Sequence, residues 1–126
     1  MSAAQLQRAT ALAALATTAL VTACGGEPAA QRVEGSTLAV RQSDYRFAPA
    51  SVEMEAGRIR VEVVNGGRLP HALRLLRDGT ERLKITTVLP GERDSTHARL
   101  TRGTYRMLCP IGNHEELGMY GVLTVR

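Results

Sequence analysis

The chain has 126 residues, 44% of them hydrophobic, and a formal net charge of +4. This length suits one domain and no more. Its basic residues are scattered singly, without a dense run or interleaved aromatic residues, so the sequence does not indicate a nucleic-acid-binding surface. The modest positive charge implies only a mild preference for acidic partners or anionic surfaces.

The first segment, residues 1–23, has the layout of a secretory signal peptide. One charge, Arg8, precedes an apolar run from Ala9 to Leu20 that is too short for a stable membrane span. The following Val21-Thr22-Ala23-Cys24 resembles a bacterial lipobox, in which the cysteine is acylated and becomes the new N-terminus. We therefore expect an exported protein on the periplasmic or cell-surface side, anchored to the membrane by a lipid on Cys24.

Residues 24–36 are predicted to form a lipidated N-terminus and a flexible linker, and residues 37–126 to form the folded domain. The stretch from Gly25 to Ser36 is small, polar and poor in large apolar residues. If flexible, such a linker has a reach on the order of 20 Å. The domain is then expected to stand off the membrane.

Short alternating runs broken by Gly, Pro and Asn recur through the domain, and no long helical period appears. The clearest run is Arg58 to Asn65, in which Ile59, Val61 and Val63 face one side. Further strands are predicted around Leu38 and Val40, at Ser51 to Glu55, Arg82 to Leu89, Arg93 to Leu100 and Gly121 to Arg126, with an irregular crossing at Tyr45 to Pro49. This pattern predicts an all-β, antiparallel Greek-key β-sandwich of seven to eight strands.

Two other runs place a metal-binding residue at the end of a strand. His71 shares a strand face with Leu73 and Leu75, and Cys109 shares one with Tyr105 and Met107. Because side chains alternate along a strand, both donors are predicted to point toward the interior of the sandwich. A rigid, dry metal site can be built at such strand ends.

The loop from Cys109 to Met119 carries a thiolate, an imidazole and a thioether, on Cys109, His114 and Met119. Two imidazoles and a thiolate in a trigonal plane, with a weak axial thioether, suit a mononuclear electron-transfer copper. The loop lacks one imidazole. His71, in Asn65-Gly-Gly-Arg-Leu-Pro-His71, is the candidate for it.

With His71 in a Leu-Pro-His context and Cys109, His114 and Met119 downstream, the chain from Thr37 to Arg126 resembles the cupredoxins, the small blue copper proteins. The resemblance implies one mononuclear type 1 copper ion. It implies that His71, Cys109 and His114 form the strong equatorial set and that Met119 is the weak axial ligand.

The resemblance also implies roles for residues around the site. His114 would be the electron exit, because in this family the loop histidine reaches the surface. Asn65 would shape the turn before His71 and not touch copper. Ala72 departs from the family, because many relatives have an asparagine there that ties the two ligand loops together. His97 has no thiolate partner nearby in sequence and is predicted to be an exposed strand histidine.

The chain has two cysteines, which in an exported protein first suggests a disulfide. Lipidation of Cys24 would leave Cys109 as a single thiol in an oxidising compartment, and copper would occupy it. A disulfide between Cys24 and Cys109 is the competing interpretation.

The leading hypothesis is a monomeric, membrane-tethered, non-enzymatic carrier that cycles Cu(I)/Cu(II) between exported or membrane-bound redox partners. A copper carrier or scavenger that delivers the ion to an oxidase would use the same residues. A catalytic copper domain of the nitrite reductase or multicopper oxidase type needs a further copper centre, and His97 is the one spare histidine. A metal-free scaffold of the same fold is the remaining alternative.

Overall fold

A computed structural model describes residues 25–26 and 29–126. The predicted signal peptide and the predicted lipidation site at Cys24 lie outside these residues. Within the described part of the chain, no helix is long and apolar enough to cross a membrane.

In the part of the chain that the structure describes, ten strands form two sheets. The strands are β1 (Gln31–Arg32), β2 (Thr37–Ser43), β3 (Arg46–Ala48), β4 (Ser51–Met54), β5 (Gly57–Asn65), β6 (His71–Arg77), β7 (Thr80–Val88), β8 (Arg93–Leu100), β9 (Gly103–Leu108) and β10 (Tyr120–Val125). The six-stranded sheet has the order β1-β4-β10-β9-β6-β7, and the four-stranded sheet has the order β3-β2-β5-β8.

The inward side chains of both sheets form one apolar core. Ile59, Val61 and Val63 are buried, while Arg58 before them and Arg60 between the first two are exposed, as the alternation predicted. The same holds on β2, β4 and β10, whose buried residues are Leu38, Val40, Val52, Met54, Leu123 and Val125. The all-β sandwich is therefore confirmed.

The strand count and the purely antiparallel pairing differ from the prediction. Two short strands, β1 and β3, raise the count to ten, and β1 lies within the segment predicted as linker. Three pairs are parallel: β1 with β4, β4 with β10, and β2 with β5. Between β2 and β5 the chain crosses to the other sheet to form β4, and such an excursion is what lets it return parallel to β2.

Three connections meet at one end of the sandwich. They are the β2–β3 turn at residues 44–45, the β5–β6 loop at residues 66–70 and the β9–β10 loop at residues 109–119. Asp44 of the first contacts His71 after the second, and Tyr45 contacts His114 of the third. This end of the domain holds the predicted donors, and we call it the metal end.

Away from that end, Tyr105 fastens the turn between β8 and β9. Its buried side chain donates a hydrogen bond from Oη to the Thr101 carbonyl at 2.8 Å and accepts one from the Thr101 N–H at 3.0 Å. The ring lies in the core cluster, so the phenol joins the core to the turn.

Replacing Tyr105 with Phe should lower the free energy of unfolding by about 1–3 kcal/mol, because Thr101 loses a partner for its N–H and for its carbonyl. Denaturant unfolding of the metal-free protein measures this loss. Tyr120→Phe is the matched control, since Tyr120 is 54% exposed, and it should change stability little. Equal losses in the two variants would contradict the role given to Tyr105.

Candidate metal centre

His71 is the first residue of β6, and the loop before it is held by Asn65. The buried Asn65 amide donates to the carbonyls of Leu69 and Val88, each at 2.8 Å. Its Oδ1 accepts from the Gly67 N–H at 2.9 Å. These bonds close the β5–β6 loop around the asparagine. They place His71 in the interior, where its side chain is 0% exposed. The structure thus shows Asn65 shaping the turn, as expected.

The β9–β10 loop begins and ends with buried sulfur-containing residues. Cys109 directly follows β9, and Met119 directly precedes β10. The Cys109 N–H donates to the Met119 carbonyl at 3.0 Å, and the Met119 N–H donates to the His114 carbonyl at 2.9 Å. Gly118, with φ +114°, takes a left-handed conformation that few other residues adopt. The backbone therefore brings Cys109, His114 and Met119 together within one compact loop.

The first residue of β6 and two residues of the β9–β10 loop meet as a three-residue donor group of His71, Cys109 and His114. Their ligand atoms all lie within 4.8 Å of one another. The Nδ1 atoms of His71 and His114 are 3.2 Å apart, and the Cys109 Sγ is 3.6 Å from the Nδ1 of His114. The structure therefore brings together three of the four predicted copper ligands.

These distances fit a single metal ion. Bonds of about 2.0 Å to nitrogen and about 2.3 Å to sulfur, spread at 120° in a plane, separate two nitrogens by about 3.5 Å and nitrogen from sulfur by about 3.7 Å. The observed spacings are 3.2 Å and 3.6 Å. Two imidazoles and one thiolate are the equatorial set of a mononuclear type 1 copper ion.

Met119 adjoins this group through its backbone, and its side chain is fully buried. Its assignment as the axial ligand stays a prediction. Cys109 is a free, buried thiol, whereas Cys24 lies outside the described residues, so the alternative disulfide also stays a prediction. His97 lies exposed on β8, opposite Arg60 on β5, as expected of a strand histidine.

The β2–β3 turn contributes two residues that sequence reasoning missed. The Asp44 Oδ1 lies 3.3 Å from the Nε2 of His71, the ring nitrogen that faces away from the donor group. The Tyr45 ring packs edge-on against His114, with centroids 5.1 Å apart. In the sequence, Asp44 looks like an acidic residue in any polar surface turn. Its position just after an alternating strand was the only available signal.

The backbone N–H of Arg68 is the largest cause that lowers the pKa of Asp44 from its usual 3.8 to about 2. Partial burial opposes this effect, and hydrogen bonds from Leu69 and His71 reinforce it. Burial also lowers the pKa of His71 below its usual 6.5, with Asp44 opposing. A neutral imidazole is the form that binds a metal.

His114 is the donor nearest to solvent, because its side chain is only half-buried while His71 and Cys109 are fully buried. Glu115 beside it forms an ion pair with Arg106, and Glu116 is exposed. The described donor group is therefore closed on the core side and approaches the surface at one imidazole.

Several solved structures have a fold similar to that of this chain. Reduced auracyanin from Roseiflexus castenholzii aligns with a TM-score of 0.69 at 17% identity, over 73% of this chain and 98% of that one. Auracyanin B aligns with a TM-score of 0.63 at 22% identity, over 80% and 93% of the two chains. A purple cupredoxin from Nitrosopumilus maritimus aligns with a TM-score of 0.54 at 18% identity, over 73% and 100%.

No family model matches the chain, and no curated protein is detectably similar to it in sequence. The structural likeness establishes the fold: the described domain has the cupredoxin fold, as the resemblance implied. Its group of two histidines and one cysteine matches the equatorial donor set of a type 1 copper site.

A lowered pKa links Asp44 to acid stability. The charged carboxylate should stabilise the metal-free fold fully above the unfolded-state pKa of 3.8, and this contribution should disappear as the pH falls through about 2. The difference in unfolding free energy between the wild type and Asp44→Asn should thus shrink as the pH falls from about 4 to about 2. Denaturant unfolding at a series of pH values in this range tests this, and a difference that grows over the same range would contradict it.

Proposed function

We propose that this chain is a blue copper electron-transfer protein. The observation that carries the proposal is the buried donor group of His71, Cys109 and His114, with spacings that fit one copper ion, at the end of a domain with the cupredoxin fold. Met119 would complete the set as the axial ligand. Bound copper would supply one-electron chemistry by alternating between Cu(I) and Cu(II).

The protein's part in that chemistry is to keep the donors still. Asn65 holds one ligand loop by three side-chain hydrogen bonds, and backbone bonds between Cys109, His114 and Met119 hold the other. Donors fixed in this way change position little between oxidation states. Little movement favours fast electron exchange and makes a carrier more suitable than an enzyme as the role of this site.

His114 would be the point of electron exit, because it is the donor that approaches the surface. We further propose that the protein is exported, is tethered to a membrane through lipid on Cys24, and serves redox proteins in the same compartment. Contacts with such partners should be transient and at the low end of interface sizes, below about 1,200 Å².

The decisive test is a visible absorption and EPR spectrum of the full chain after addition of Cu(II) and then ascorbate. An intense thiolate-to-copper band, bleached by the reductant and restored by reoxidation, is expected. Cys109→Ser should remove the band, because the thiolate is lost, while the His97→Gln control should leave it unchanged. A wild-type protein that binds Cu(II) without colour would overturn the proposal.

Delivery of copper to an oxidase is the second candidate, because it uses the same donors. Burial of His71 and Cys109 favours the electron carrier, since a delivery protein needs donors that a recipient can reach. We expect less than a tenth of the copper to move to an apo-acceptor within minutes. Complete transfer on that timescale would favour delivery.

Replacing Met119 with Leu should keep the visible band and raise the reduction potential, because loss of a thioether donor disfavours Cu(II) more than Cu(I). Redox titration measures the shift. Met54→Leu is the matched control: Met54 is also buried but lies on β4, opposite Val125 at the far end of β10. Loss of all copper binding in Met119→Leu would count against a weak axial role.

A further inference from the structure

The Asp44 carboxylate connects three elements at the metal end of the domain. Its Oδ1 accepts the backbone N–H groups of Arg68 at 2.9 Å and Leu69 at 3.2 Å. The same oxygen lies 3.3 Å from His71 Nε2, and Oδ2 accepts from the Arg68 guanidinium at 3.3 Å. The turn that carries Asp44 is thereby fastened to the loop that precedes His71.

The contact with His71 determines which ring nitrogen carries a proton. A carboxylate oxygen accepts and does not donate, so the Nε2 that faces it carries the hydrogen. The Nδ1 is then unprotonated where it faces His114 Nδ1 at 3.2 Å, and this is the form needed for a metal ligand. Asp44 thus selects the tautomer of His71 before any metal is present.

The loop also leaves space for this contact. A Cβ atom at Gly67 would lie 2.4 Å from Asp44 Oδ1 and 3.1 Å from His71 Nε2. The first distance is shorter than side chains tolerate, so any larger residue would displace the carboxylate. Gly67 is therefore required by the carboxylate–imidazole pair.

We propose that Asp44 is a positioning residue that orients His71 through Nε2, strengthens its donation to copper and so lowers the reduction potential. A carboxylate hydrogen-bonded to a ligating imidazole raises the ligand's basicity, which favours the more highly charged metal ion. Arg68 moderates the effect, because its guanidinium neutralises part of the charge at Oδ2. The inference rests on the proposed function, since it assigns a role around the same copper ion.

The test compares Asp44→Asn with the wild type in the full chain. The same amide oxygen can still accept the N–H groups of Arg68 and Leu69 and the Nε2–H of His71, so the variant retains the turn and removes only the charge of the carboxylate. Mutation of this type of partner weakens metal binding about tenfold or more. A tenfold loss confined to Cu(II) raises the potential by about 59 mV for a one-electron couple.

Two further variants separate the hydrogen bond from simple charge. Glu116→Gln removes the same charge from the exposed part of the metal-binding loop and should shift the potential far less. Gly67→Ala keeps the carboxylate but displaces it, so it should shift the potential in the same direction as Asp44→Asn. Equal shifts of the reduction potential in Asp44→Asn and Glu116→Gln would overturn the inference. An unchanged potential in Asp44→Asn, or in Gly67→Ala, would also overturn it.

The metal-free protein gives a readout independent of copper. Nitrogen-15 NMR of wild-type His71 should show a proton on Nε2 that exchanges slowly with water, and in Gly67→Ala that proton should exchange at least tenfold faster. Unchanged exchange, or a proton on Nδ1 in the wild type, would overturn the inference. Failure of the proposed function is a distinct result: the wild type would form no blue copper site, whatever the tautomer of His71.

Discussion

The metal end of this domain depends on the hydrogen bonds made by the side-chain amide of Asn65. It donates to the carbonyls of Leu69 and Val88, and it accepts from the backbone of Gly67. Its own backbone accepts from Gly91 and donates to the carbonyl of Glu92. Asn65 therefore pairs with polar groups of the β5–β6 loop, the end of β7 and the β7–β8 turn. These bonds satisfy its own buried amide, which would be costly to bury unpaired. These hydrogen bonds fix the loop that precedes His71 and so fix the position of His71.

The second ligand loop is organised by backbone bonds and by the pairing of β9 with β10. Because Tyr120 pairs with Leu108, the residues just outside that pair, Cys109 and Met119, lie next to each other. The two loops are thus held in shape in different ways. The β5–β6 loop is folded around the Asn65 side chain, and the β9–β10 loop is closed by the pairing of the two strands that it connects. The Asp44 turn then joins the first loop to the strand β2, and Tyr45 supports His114 from the same turn.

The sequence predicted the parts of this structure that depend on local chemistry. Alternation from Arg58 to Asn65 identified β5, since one face is buried and the other is solvated. The order of Cys109, His114 and Met119 identified the loop, because few sites combine a thiolate, an imidazole and a thioether. His71 was found as the imidazole that the loop lacks.

What could not be predicted depends on contacts between distant segments. The strands β1 and β3 have two and three residues, too few to show a period. The parallel pairing of β2 with β5 depends on where the chain crosses between sheets. Asp44 acts on a histidine 27 residues away and belongs to no motif. Gln42 is fully buried with no hydrogen-bond partner for its amide among the described residues, and nothing in the structure explains it.

The position of the donor loop along the chain makes its shape depend on the last strand. His71 comes from the middle of the domain, whereas Cys109 and His114 lie in the loop that precedes the last strand. That strand, β10, pairs with both β4 and β9 in the centre of the six-stranded sheet. The pairing of β10 with β9 places Met119 beside Cys109, so the donor loop has the shape described here only where β10 lies in the sheet. A chain that lacked β10 would therefore lose the backbone bonds that hold this loop together.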